Sequence, residues 1–341
     1  MNAILITGGA GFIGSNFTRY FLEHYPACRV VVLDALTYAG SLANLEGLEH
    51  TGRFEFIHGN ICDRGLVDGV ISRVDAVINF AAETHVDRSI LNADAFIETN
   101  FKGTYTLLEA ARQYKVQRFL QVSTDEVYGD VPHGASVETD PFRPRSPYAA
   151  SKASAELLTQ SYYTTYGVPV LITRGGNTIG PYQYPEKVVP VFITNALEDK
   201  PLPVYGRGAA VRAYMYVEDH CAGIDLVLHD GQPGEAYNIG TRIEINGLTL
   251  VDRILDLVNK PKSLRQFVTD RPGHDLRYCL DCTKIHRLGW KPVYSFEDML
   301  EQTVRWYQTH ASWWRAIKND QAYQAYYRLQ YRERSDTHST P

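Results

Sequence analysis

The segment Ile4–Ser15, ILITGGAGFIGS, sets Gly8, Gly11 and Gly14 between a β-branched apolar run and a helix-like segment. Glycines at this spacing permit a tight turn, close approach of the backbone to a pyrophosphate, and oriented N–H groups at a helix start. Asp34 falls twenty residues after Gly14, at the end of the next apolar run. A carboxylate there accepts a bond from a ribose hydroxyl and repels a 2′-phosphate, which favours NAD over NADP. A chain that begins this way is committed to a βαβ unit.

Apolar runs recur at Ala3–Thr7, Arg29–Leu33, Phe54–His58, Ala76–Phe80, Phe119–Ser123 and Pro169–Thr173, with helix-like segments between several of them. The expected fold is therefore α/β, a Rossmann-type doubly wound parallel sheet with a smaller α/β C-terminal lobe. The segment NFKGTYTLLEAARQYK carries Leu107, Leu108 and Ala111 at helical spacing and predicts a helix covering one face of that sheet. From Gly175 onward Gly and Pro become frequent and the alternation fades. The expected division is 1–174 for the nucleotide-binding domain, with part of 214–240 returning to it, 175–330 for the second lobe, and 331–341 as a frayed polar tail. Helices are expected at Leu250–Leu257 and over FEDMLEQTVRWYQTH.

At 341 residues, two lobes and a cleft are the natural expectation. A hydrophobic share of 44% and a charged share of 21% are those of a globular protein, and no run approaches the roughly 18 apolar residues of a membrane span. MNAILITGG passes straight into the first strand without a secretory leader, so a cytoplasmic protein is expected. The five scattered cysteines suit reduced thiols, and CLDC alone is too little for zinc, so no metal is expected. A net charge of −5 gives no basic footprint for nucleic acid.

Two further patterns carry chemistry. In SPYAASKAS, Tyr148 and Lys152 are four apart and share one helix face. Forming a phenolate at pH 7 costs roughly 4 kcal/mol from a reference pKa of about 10, and a neighbouring ammonium would lower that cost, making Tyr148 a base for an alcohol hydroxyl. In QVSTDEVYGD, Thr124, Asp125 and Glu126 stand at the end of a strand-like run, where ligands of an open α/β sheet bind.

The glycine loop with YxxxK resembles the extended short-chain dehydrogenase/reductase family, in its nucleotide-sugar branch. Within it, LDALTYAG, AAETHVDRSI, TNFKGTYTLLEAAR, STDEVYGD, GPYQYPEK, RPGHDLRY and WYQTHASWW resemble the dTDP-glucose 4,6-dehydratases over nearly the whole chain. The resemblance implies oxidation of a hexose at C4, elimination of water across C5 and C6, and return of the hydride to C6, with NAD kept bound. It gives Glu126 the C5 proton, Asp125 the departing C6 hydroxyl, and Thr124 the C4 oxygen. It implies cofactor contacts at Gly8, Gly11, Phe12, Ile13, Gly14, Asp34, Thr37, Asn60, Ile61, Ala81 and Thr99, besides Tyr148 and Lys152. Nucleotide-sugar contacts are implied at Thr84, Asn177, Lys187, Val188, Tyr205, Arg212, Arg271 and His274, and a homodimer as the assembly.

The chain departs from the pattern at Gly175, Gly176, Thr178 and Ile179 around Asn177, at Ala210, Ala213 and Tyr214, at Asn60, and at Gly247, for which Asn246 could compensate by a one-residue shift. These positions bear on the nucleotide and sugar more than on the reaction. A UDP-sugar dehydratase, a 4-epimerase and an NAD-binding scaffold or sensor are the competing readings.

Overall fold

A computed structural model of the chain describes residues 1–270 and 272–332. Among them the strands are β1 (Ala3–Thr7), β2 (Arg29–Asp34), β3 (Phe54–His58), β4 (Ala76–Asn79), β5 (Arg118–Thr124), β6 (Val170–Gly175), β7 (Asn177–Ile179), β8 (Leu202–Tyr205), β9 (Val211–Tyr216), β10 (Ala236–Ile239), β11 (Glu244–Asn246) and β12 (Arg265–Val268). Seven form one parallel sheet in the order β10-β6-β5-β4-β1-β2-β3. The order reverses between β1 and β4, which opens a crevice beyond the strands' carboxyl ends. This is the Rossmann-type fold that the alternation predicts.

Alternate residues of the central strands feed two cores, because side chains of a strand point to opposite faces. Ile4, Ile6, Val30, Val32, Ile78 and Leu120 enter one core, closed by Phe17 and Phe21 of the helix Phe12–His24 and by Ile224 and Val227 of Val217–Asp230. Leu5, Val31, Leu33, Val77 and Phe119 enter the other, covered by the helices Arg64–Ile71, Thr104–Tyr114 and Pro147–Tyr166. Leu107, Leu108 and Ala111 are buried there, as their spacing predicts.

The helix expected from Asn100 begins differently. A π-helical turn occupies Ile97–Gly103, and the α-helix starts at Thr104. Within that turn the Asn100 side chain accepts from Glu83 N at 2.8 Å and donates to Glu83 O at 3.0 Å and to Ser151 Oγ at 2.8 Å. Periodicity cannot reveal such distant partners.

After β6 the chain builds a second body. Here β7 pairs parallel with β9, β11 antiparallel with β9, and β8 parallel with β12. A separate core holds Ile193, Leu202, Ile254, Met299, Tyr307 and Trp314. The two expected helices span Gly247–Leu257 and Phe296–Thr309, the second begun by a capping box between Ser295 and Asp298. Asn246 caps the first by accepting from Thr249 N at 2.8 Å. Between these elements the helix Val217–Asp230 and β10 return to the first sheet, where β10 pairs with β6.

The chain is in a π-helical turn, Arg328–Arg332, where the frayed tail was expected to begin, and residues 333–341 lie outside the described residues. The five cysteines are free, and no group of His, Cys, Asp and Glu among the described residues could hold a metal ion. No described helix is long and apolar enough to cross a membrane.

Candidate active site

The glycine loop forms one wall of a cavity of about 300 Å³ at the switch point. Gly8 has φ +67°, and a Cβ there would meet the Ala81 amide nitrogen at 2.6 Å. A Cβ on Gly14 would lie 2.3 Å from Gly8 O, so this glycine lets the helix close on the strand. At Gly11 a Cβ would meet only Gly8 O within 4 Å, which leaves that face open to a ligand. Gly11 is the N-cap of Phe12–His24 and offers no side-chain acceptor to the first N–H groups. They remain available to an anion. Asp34 accepts from Ala10 N at 2.9 Å and from Leu36 N at 2.8 Å, so it braces the loop it faces. Burial raises its pKa, and those two N–H groups oppose the rise. These features fit a dinucleotide, and each carboxylate oxygen keeps a second lone pair for a ribose. Phe12, Ile13, Thr37, Asn60, Ile61, Ala81 and Thr99 also line the cavity.

The expected catalytic residues line the same cavity near the carboxyl end of β5. Thr124 is its last residue, paired across to Gly175 of β6, and a 3₁₀ turn, Asp125–Tyr128, follows at once. Thr124 Oγ1 accepts from Glu126 N and donates to Asp125 Oδ1, both at 3.2 Å. Burial and then the Glu126 carboxylate push Asp125 up to about 7, against Arg212 and the Thr124 hydroxyl.

Tyr148 comes from the first turn of the helix Pro147–Tyr166, which begins at a Ser146 cap accepting from Ala149 N at 3.1 Å, with Pro147 at its first position. Burial, then Glu126, raises the tyrosine well above its ordinary pKa, and a hydrogen bond with Thr124 lowers it. Lys152 lies one turn on, and its ammonium donates to Val122 O at 2.6 Å. Burial lowers its pKa to about 8, against the pull of Glu156. The ammonium thereby anchors the helix that bears Tyr148 to β5.

Of the expected sugar contacts, Thr84, Asn177 and Lys187 line the same cavity, and Lys187 Nζ donates to Thr84 O at 2.8 Å. Tyr205, Arg212 and His274 do not line it, but form a cluster of their own. Arg212 Nη2 lies 3.1 Å from His274 Nε2 and 2.9 Å from Asp275 O, and the Tyr205 ring stands edge-on to His274. Arg212 ties the cluster to the site through its field on Asp125. Val188 opens the helix Val188–Leu197, half-exposed and outside the cavity. Arg271 lies outside the described residues.

Residues 5–303 match the family model described as GDP-mannose 4,6 dehydratase. The chain belongs to that family. Within it, the chain is 47% identical to dTDP-glucose 4,6-dehydratase of Streptomyces niveus, over 93% of this chain and 96% of that one. It is 52% identical to the low-salt glycan biosynthesis protein Agl12 of Haloferax volcanii, over 89% and 98%. Among solved structures, DesIV, the dTDP-glucose 4,6-dehydratase of Streptomyces venezuelae with NAD and TYD bound, superimposes with a TM-score of 0.91 at 50% identity, covering 93% of this chain and 100% of that one.

Several cavity residues of this dehydratase-family chain were not singled out from the sequence, among them Glu83, Gln183, Tyr184, Glu186 and His220. Glu186 is buried and pairs with Arg88 at 2.8 Å, while the Arg88 guanidinium lies 3.9 Å from the ring centres of both Tyr38 and Tyr326. Glu83, Arg88 and Glu186 do fall inside the quoted motifs AAETHVDRSI and GPYQYPEK. The signal was present as a string, without a partner to give it meaning.

Proposed function

We propose that this protein is an NAD-dependent lyase that removes water from a nucleoside-diphosphate glucose, with dTDP-glucose favoured, to give the 4-keto-6-deoxy sugar. One arrangement carries the reading: Thr124, Asp125 and Glu126 meet Tyr148 and Lys152 near the carboxyl end of β5, on the wall of the cavity that the glycine loop borders. The glycine loop would hold the cofactor's pyrophosphate and Asp34 its adenosine ribose. Bound NAD supplies the acceptor for the hydride of C4 and its donor to C6.

Tyr148 takes the proton of the C4 hydroxyl while Thr124 holds that oxygen. A carbonyl at C4 makes the C5 proton acidic, and Glu126 removes it. Asp125, with its pKa near 7, protonates the C6 hydroxyl as it leaves. Lys187 and Arg212 are suited to the diphosphate, one as a point charge and one as a planar fork. The first 174 residues with the returning 217–239 form the cofactor domain, and the remainder to 330 the sugar lobe.

The assembly we propose is a cytoplasmic homodimer. Ile97, Phe101, Tyr105 and Leu157 are exposed on the π-turn, on Thr104–Tyr114 and on Pro147–Tyr166, neighbouring elements of the first domain. An apolar surface of that kind favours burial against a second copy.

The test is to incubate the purified protein with dTDP-glucose and with UDP-glucose, adding no NAD. A product lighter by one water is expected. An isomer of unchanged mass would establish a 4-epimerase, and no turnover on either sugar would leave a binding protein.

A further inference from the structure

His220 stands on the helix Val217–Asp230, which returns to the first sheet. It is 1% exposed, yet its ring borders the cavity beside Gly175 and Thr178. Gly175 makes room for it. A Cβ at that position would lie 2.5 Å from the imidazole Cε1 and 2.6 Å from Nε2, closer than real carbon atoms come.

The bonds around Thr178 decide which ring nitrogen carries the proton. The Thr178 hydroxyl oxygen lies 3.2 Å from Gly176 O and 2.9 Å from His220 Nδ1. A carbonyl only accepts and a hydroxyl has one hydrogen, so Thr178 donates to Gly176 and Nδ1–H donates to Thr178. Burial lowers the histidine pKa to about 4, so the ring is neutral at pH 7. Nε2 then holds a lone pair. That atom is buried and has no hydrogen-bond partner, and a buried acceptor without a donor is destabilising.

The position indicates the missing donor. Gly175 is the register partner of Thr124, so the ring sits at the ends of β5 and β6, across the switch point from Asp34 on β2. A dinucleotide anchored by its pyrophosphate at the glycine loop and by its adenosine at Asp34 sends its other half there. That half ends in a pyridine ring bearing a carboxamide, whose NH₂ is a donor.

We propose that His220 is a positioning residue of the cofactor site, its Nε2 accepting from the nicotinamide carboxamide while Gly175 and Thr178 hold the imidazole as the Nδ1–H tautomer. A carboxamide held at this edge limits rotation of the nicotinamide ring. The inference rests on the NAD reading above and extends it to a residue outside the catalytic set.

The test uses 3-acetylpyridine adenine dinucleotide, in which a methyl ketone replaces the amide and no N–H remains. Labelled NAD is displaced from the holoenzyme by unlabelled NAD or by the analogue, in wild type and in His220→Phe. Wild type should favour NAD by about three- to tenfold, the range of one net hydrogen bond, and His220→Phe should bring the ratio near one. An unchanged ratio in the variant overturns the proposal, because a merely structural histidine would weaken both ligands alike. Should the variant not fold, ¹⁵N-histidine spectra of the wild type decide: the Nε2 resonance must differ between the NAD and analogue complexes, and coincidence refutes the bond. If wild type binds neither dinucleotide, the NAD reading fails, and this inference with it.

Discussion

Lys152 Nζ donates to the main-chain oxygen of Val122 at 2.6 Å, two residues before Thr124 on β5. The bond fastens the helix bearing Tyr148 to the strand that leads into Asp125 and Glu126. Two segments of the candidate site are thus joined directly.

This lysine has a folded pKa of about 8, below its reference of 10.5. Between those values the unfolded chain binds the proton more strongly, so this group's contribution to stability is smallest below pH 8 and grows as pH rises toward 10.5. Wild type should therefore gain on Lys152→Met in urea midpoint between pH 8 and pH 10. A constant difference between the two would show that the ammonium is not held in a dry site.

Asp125 behaves with the opposite sign. Its folded pKa of about 7 exceeds the reference of 3.8, so the folded state binds the extra proton between those values and stability drains away as pH rises through them. Asp125→Asn should raise Tm relative to wild type, more at pH 8 than at pH 5. The same change should slow dehydration by about 10²- to 10⁴-fold, the usual range for losing a general acid. In wild type, kcat should fall as pH passes above about 7, while Glu126→Gln should keep substrate affinity and slow exchange of a C5 deuterium label.

Behind the site, Arg174 and Glu156 form an ion pair at 2.6 Å whose side chains are 7% and 1% exposed. Removing one partner strands the other in a dry place. Arg174→Met should therefore destabilise the protein by about 3–5 kcal/mol, and adding Glu156→Leu should recover part of that loss. Equilibrium unfolding in urea measures both, and additive losses would contradict the pairing.

The exposed side chains Phe101 and Leu157 offer a test of assembly that leaves the chemistry untouched. The double change Phe101→Glu and Leu157→Glu places charge on the proposed contact and should yield a monomer in sedimentation equilibrium. A dimer that persists would move the interface to another face.

The parts legible in the sequence were those that local rules govern. The glycine spacing, the acid at the end of β2 and the four-residue step from Tyr148 to Lys152 each follow from a turn, a strand end or a helical repeat. What escaped lies between distant segments. The Val122 oxygen that holds Lys152 is thirty residues away, and Asn100 reaches Glu83 and Ser151 from a turn that no periodicity marks. Strands β7, β11 and β12 have only three, three and four residues, too few for an alternating pattern to emerge. The setting of Arg212, shared with His274 and Asp275, depends on how the later loops pack.

During synthesis, β6 leaves the ribosome with one flank open, and its neighbour β10 emerges some sixty residues later, after β7, β8 and β9. Until residue 239 appears, the nascent sheet carries a bare strand edge, a surface prone to sticking to other chains. A gene fragment stopped after residue 174 would keep that edge for good. The half that reads as self-contained should thus aggregate when expressed alone, because its last strand is encoded downstream.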